Sequence, residues 1–169
     1  GKIRSINPVD ARWADTLFSW SEPSVQPVRT VERCTLSGET CTATLLESET
    51  TFDTLFRPLQ VKTTDINNSI TRYTTSKFNA YNKAIFTSYP SDTINTSTGM
   101  DYTYDGLQRL KTTTQYGGGS QTITYLAGNK QRVNKQVSAS INYDTTTTYL
   151  AYGSPAYEQA LTIASPENV

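Results

Sequence analysis

Apolar and aromatic residues come in short runs along most of this chain, separated by residues that turn the backbone, a pattern of strands and not of helices. Runs at 28–35 and 39–47 predict one hairpin, and those at 50–52 and 59–63 lie about a second turn. Residues 70–78 with 84–89, and 100–104 with 110–116, repeat the plan; 121–125, 132–141 and 145–152 read as further strands. Gly117-Gly118-Gly119 makes a loose connection between two of them. The first thirty residues differ, holding both tryptophans, Trp13 and Trp20, and three prolines, Pro8, Pro23 and Pro27. They are expected to run as an extended cover (1–30) over a hairpin array (31–169). Within the cover, Trp13, Leu17 and Trp20 recur at i, i+4 and i+7, which predicts a short helical turn over 12–20.

Self-similarity sharpens the picture. Phe52-Asp53-Thr54-Leu55-Phe56-Arg57, Phe78-Asn79-Ala80-Tyr81-Asn82-Lys83 and Tyr104-Asp105-Gly106-Leu107-Gln108-Arg109 share an aromatic, Asp or Asn, any residue, Leu or Tyr, any residue, then Arg or Lys. Both intervals are 26 residues. Each unit reads as a hairpin corner. The aromatic ends a strand and packs on its apolar face, and Asp or Asn turns the chain through its side chain. Leu or Tyr tucks under the turn, and Arg or Lys opens the return strand. A weaker fourth copy begins at Tyr125, and a degenerate fifth at Tyr143-Asp144. A lone hairpin is marginal in water, so consecutive units must pair to bury their aromatics. The fold expected is all-β: consecutive antiparallel hairpins of about 26-residue period forming a twisted, spiralling sheet.

Composition agrees. Thr, at 29 residues, outnumbers every other type, and the apolar share is 36%, so a pleated surface suits the chain better than a thick core. With 15 basic and 15 acidic residues and no basic cluster, attraction to nucleic acid or an anionic membrane is not provided for. No apolar run approaches the roughly 20 residues of a helical membrane span. Residues 1–8 lack a signal peptide's apolar segment, so an export signal is expected elsewhere, and Gly1 and the end at Val169 suit a piece cut from a longer chain.

The Tyr104-Asp105-Gly106-Leu107-Gln108-Arg109-Leu110 unit resembles the YD-repeat motif of Rhs proteins, related to the shells of bacterial Tc toxin components and to teneurins. The units at Phe52 and Phe78 look like divergent copies, and Gly128-Asn129-Lys130 resembles another ending of the repeat. The family's usual Gly before Arg is replaced by Phe56, Asn82 and Gln108. Asn82 can take the left-handed conformation that Gly permits; Phe56 and Gln108 would do so with strain, so altered turns are expected there. The resemblance implies a non-catalytic shell or scaffold segment of a bacterial protein, secreted or at the cell surface. Its partners would be other repeats of a longer parent chain or an encapsulated toxin domain. The family's self-cleaving site lies near an Asp-Pro-x-Gly motif; this chain has no Asp-Pro pair, so no catalytic residue is carried over.

Candidate chemistry is otherwise sparse. Without His, the Ser-His-Asp and Cys-His arrangements are excluded and a zinc site is disfavoured, and no cofactor is expected. Paired carboxylates remain, Asp101 with Asp105 or Glu47 with Glu49, against a plainer reading as strand faces and turn caps. Gly117-Gly118-Gly119-Ser120 lacks the Lys-Ser/Thr ending of a phosphate cradle and reads as a flexible tip. Asn67-Asn68-Ser69 and Asn95-Thr96-Ser97 match the glycosylation pattern, an accidental match in a bacterial protein. Cys34 and Cys41 flank a Ser37-Gly38 turn signal, so a cross-strand bridge is geometrically available; in a reducing compartment two free thiols are the alternative. Tyr102, Tyr104, Tyr116, Tyr125, Tyr143, Tyr149, Tyr152 and Tyr157 either pack between repeats or line a sugar-binding face, the latter giving a carbohydrate-binding or adhesive module as the alternative function. Open sheet edges predict self-association by strand pairing.

Overall fold

A computed structural model describes residues 5–6, 14–21, 26–37, 40–128, 130–138, 141–150 and 160–165, and among them the chain is all-β. Its strands are β1 (Ser5–Ile6), β2 (Asp15–Ser21), β3 (Val28–Ser37), β4 (Thr40–Phe52), β5 (Pro58–Asp65), β6 (Ile70–Phe78), β7 (Ala84–Ser88), β8 (Gly99–Tyr104), β9 (Leu110–Gln115), β10 (Ser120–Leu126), β11 (Lys130–Ser138), β12 (Ile141–Tyr149) and β13 (Ala160–Ala164). Two compact units divide the chain: Gly1–Lys77 with Thr87–Thr98, and Phe78–Phe86 with Gly99–Val169. In the first, β1 to β6 pair antiparallel in sequence order; in the second, β8 to β13 do the same. Consecutive hairpins are therefore the building principle. No helix among the described residues is long and apolar enough to cross a membrane.

In the first unit, register builds the core. Trp20 lies opposite Arg29, and Arg29 opposite Thr50, so their side chains share one face beside Phe52. Phe52 is 9% exposed; Trp20 stacks on it at 5.7 Å between centroids, and the Arg29 guanidinium sits 5.7 Å from its ring centre. Burial of that ring contributes about 1.5–3 kcal/mol. The core is thin: among the described residues of this unit Cys34 and Phe52 are the buried apolar side chains, and Thr50, Thr75 and Ser88 are the buried polar ones; Phe86 is the buried apolar side chain of the second. Ser88 Oγ accepts the Thr75 amide at 2.8 Å, and Asn95 Oδ1 organises the following loop by accepting the Ser97 and Thr98 amides, both at 2.9 Å.

The N-terminal segment departs from expectation. Asp15–Ser21 is a strand paired along its length with β3, in place of the helical turn expected over 12–20; Arg12 and Trp13 lie outside the described residues. The i, i+4, i+7 spacing is overridden by cross-strand pairing, in which all seven residues find partners on β3. Residue 30, where the sequence divides into cover and array, lies inside β3. Residues 50–52, expected as a separate strand, are the end of the 13-residue β4. The run expected over 132–141 belongs to two strands, β11 and β12. Pro8, Pro23, Gly38, Asn129, Tyr152 and Tyr157 lie outside the described residues.

Candidate functional site

The three repeat units fold into the same turn. In the first, Phe52 ends β4, the Asp53 amide donates to the Arg57 carbonyl (3.0 Å), and the Phe56 amide donates to the Asp53 carbonyl (3.0 Å). The Leu55 and Arg57 amides donate to Asp53 Oδ1 at 2.8 and 2.9 Å. In the second, Asn79 makes the same backbone pair with Lys83 and Asn82 (2.9 and 3.2 Å), and its Oδ1 accepts the Tyr81 and Lys83 amides at 2.9 and 3.0 Å. In the third, Asp105 pairs with Arg109 and Gln108, both at 2.9 Å, and its Oδ1 accepts the Leu107 and Arg109 amides, again both at 2.9 Å. One side-chain oxygen thus satisfies two turn amides in each of these three units, a task that Asp and Asn share. Where the residue is Asp, the following Arg adds a charged bond: Arg57 Nε to Asp53 Oδ2 at 2.6 Å, and Arg109 Nε to Asp105 Oδ2 at 2.7 Å.

Two expectations about these turns are corrected. Phe56, Asn82 and Gln108 all take the left-handed conformation, with φ of 58°, 62° and 59°. The turns at Phe56 and Gln108 are not altered: five shared hydrogen-bonding contacts in one short loop outweigh a left-handed penalty of roughly 1–2 kcal/mol. Replacing Gln108 with glycine should therefore stabilise the chain by roughly 0.5–1 kcal/mol after glycine's own entropy cost, with Asn82→Gly near neutral, both read from urea unfolding. Nor do the apolar residues of the turns tuck under them. Leu55, Tyr81 and Leu107 are 68%, 67% and 75% exposed.

The electrostatics of the copies differ in a testable way. Partial burial pushes the Asp53 carboxyl up, but hydrogen bonds from the Arg57 amide and guanidinium and the Leu55 amide, with the Arg57 charge, hold it below its ordinary value of 3.8. For Asp105 the Arg109 guanidinium is the largest cause, followed by the Arg109 amide, and the shift is again downward. A depressed carboxyl stabilises the fold fully above its unfolded value and loses that contribution as pH falls through the lower folded value. Asn79 does not titrate. In an NMR titration below pH 3.8, the Leu55, Arg57, Leu107 and Arg109 amide signals should move with the Asp carboxyls while those of Tyr81 and Lys83 stay in place.

The aromatics link one corner to the next. Each pairs six residues on: Phe52 with Pro58, Tyr104 with Leu110, Tyr125 with Gln131. In the second unit the following tyrosine bonds to that partner. The Tyr104 hydroxyl donates to the Ala84 carbonyl (2.7 Å), where Ala84 stands six residues after Phe78, and the Tyr125 hydroxyl donates to the Leu110 carbonyl (3.0 Å). The Tyr149 hydroxyl donates to Gln131 Oε1 at 2.9 Å. The Arg109 guanidinium also lies over the Tyr125 ring, 3.9 Å from its centre. Tyr125 therefore serves as the aromatic of a fourth copy, though its hairpin closes one pair further, at Leu126 and Lys130. The fifth copy is not at Tyr143-Asp144, which lies within β12; Tyr149, ending that strand, makes the corresponding hydroxyl bond, although it pairs with Ala160, eleven residues on. Tyr125-Leu126-Ala127 and Tyr149-Leu150-Ala151 are identical tripeptides, a signal that reveals it. Tyr125→Phe removes one part-buried hydroxyl bond and should cost about 1 kcal/mol by denaturant unfolding.

The remaining candidates fall in different places. Cys34 and Cys41 form a disulfide with Cα atoms 5.6 Å apart. They are not directly opposite: the hairpin closes at the Ser37–Thr40 pair, which sets Cys41 against Leu36, while Cys34 faces Thr44, so the bridge runs diagonally. Glu49 pairs with Lys62 (2.9 Å), whereas Glu47 lies opposite Glu32, which accepts the Thr44 hydroxyl at 3.0 Å. Asp101 lies opposite Thr114, and Asp105 is taken up by its turn. Gly117-Gly118-Gly119 is a closed turn, with the Gln115 amide on the Gly119 carbonyl and the Gly118 amide on the Gln115 carbonyl, both 3.1 Å. Asn67 stands exposed in the β5–β6 turn. The chain matches no family model and no curated protein.

Proposed function

We propose that this chain is a structural segment of an Rhs-like YD-repeat protein, secreted or at the surface of a bacterial cell, and non-catalytic by itself. The single observation that carries the reading is the identity of the turns at Asp53, Asn79 and Asp105, down to the doubly accepting side-chain oxygen and the left-handed residue before Arg or Lys. A motif repeated in sequence and in hydrogen bonding specifies a building unit, since each unit needs a neighbour to cover its aromatic. The tyrosine bonds from one corner to the preceding return strand supply that neighbour relation in the second unit. Further repeats of a longer parent chain, or a toxin domain enclosed by it, are the partners this reading assigns. β13 supports pairing with another strand: Ala160–Ala164 has neither charge nor proline, and Leu161 and Ile163 are 57% and 65% exposed.

Reading the gene on both sides of this segment tests the proposal. The expected result is further aromatic-Asp/Asn units at intervals of roughly 20–26 residues, within the usual size of a structural repeat. A reading frame that continues on either side without such units would overturn it.

A further inference from the structure

The tyrosines of the second unit divide into two sets. Tyr104, Tyr125 and Tyr149 are held by their hydroxyls as described. Tyr102 and Tyr143 take no part in that linkage, yet register places them in one cross-strand row: Tyr102 opposite Thr113, Thr113 opposite Gln121, Gln121 opposite Lys135, and Lys135 opposite Tyr143. Directly paired residues share a sheet face, so five side chains from β8 to β12 form one line of about 19 Å. Under its middle lies a depression of about 240 Å³, lined among others by Met100, Thr113, Gln115, Gln121 and Lys135.

We infer that this row binds a linear oligosaccharide carrying carboxylate groups. Sugar hydroxyls need partners that both donate and accept, which the Gln121 and Gln115 amides and the Thr113 hydroxyl provide. The rings of Tyr102 and Tyr143, the latter 46% exposed, bracket the line and offer faces for sugar rings to stack on. Lys135 decides the charge of the ligand. It is exposed and makes no ion pair among the described residues. The nearest carboxylates in register, Asp101 and Asp144, belong to the opposite face, where Asp144 accepts the Asn134 amide at 2.8 Å. A single-stranded nucleic acid fits less well, because its successive bases call for successive stacking rings, and here the two rings stand at the ends of the row with hydrogen-bonding side chains between them. The inference uses one face of the second unit and does not rest on the repeat-array reading.

Isothermal titration calorimetry of the whole chain tests it, with an oligogalacturonate, a neutral cello-oligosaccharide and a uridine oligonucleotide as probes. The oligogalacturonate should bind, more weakly as salt is raised, and Lys135→Gln should lower its affinity about fivefold, the span of one exposed charge interaction. Tyr143→Ala should also weaken it, while Lys62→Gln in the first unit leaves it unchanged. Lys135 is exposed, so its variant keeps the fold, checked by circular dichroism. Absent binding, equal affinity for the neutral glycan, binding of the oligonucleotide alone, or an unaffected Lys135→Gln protein would each overturn the inference.

Discussion

Opening the Cys34–Cys41 bridge by paired alanine substitution should lower the unfolding free energy by about 2–3 kcal/mol, the loop-closure contribution for eight residues. The effect is large for two reasons. Cys34 is fully buried, so the bridge fixes β3 to β4 at a point where two register shifts interrupt the ladder. The described core is also thin, so little packing is present to compensate. Urea unfolding of the oxidised protein beside the double variant measures it. A difference under about 0.5 kcal/mol would mean that the β3–β4 register is held by strand pairing alone, as surface changes usually are.

Removing the turn side chain is the second large effect. Asn79→Ala leaves the Tyr81 and Lys83 amides without their common acceptor and should cost about 1–2 kcal/mol, the scale of losing a helix N-cap, whose geometry is similar. Asp53→Ala and Asp105→Ala should cost more than Asn79→Ala, because each also strips an arginine of its charged bond. Asp105→Asn separates the contributions: it keeps the oxygen that accepts two amides and loses the carboxylate, so it should fall between wild type and Asp105→Ala. Chemical unfolding of the variants, compared on one scale, checks the order. If Asp105→Asn proved as damaging as Asp105→Ala, the charge and not the shared acceptor would be the organising element.

The hairpins and their corners were legible because both signals are local. Alternating residues on Thr-rich strands and an Asp or Asn next to a closing aromatic act over six residues, the range that a sequence displays directly. Where tertiary pairing decides, the sequence misleads. Asp15–Ser21 carries a helix-like spacing of Leu17 and Trp20 but joins β3, whose residues lie outside any local window. β13 lies outside the expected strands because Ala160–Ala164 is only five residues long and stands apart from any repeat unit. The left-handed Phe56 and Gln108 escaped prediction for a different reason: the strain at one residue is local, and the hydrogen bonds that overcome it are made by its neighbours. The tyrosine linkages were invisible too, since each joins residues 15 to 20 apart whose proximity follows only from the completed sheet.

The most direct test of equivalent corners is solution NMR of the intact chain, reading backbone φ at positions 56, 82 and 108 with the protection of amides 55, 57, 81, 83, 107 and 109. Positive φ at all three positions, with each pair of amides slowed alike, is the predicted result. A negative φ at any one of them, or one pair exchanging as freely as an open loop while the others are protected, would contradict it.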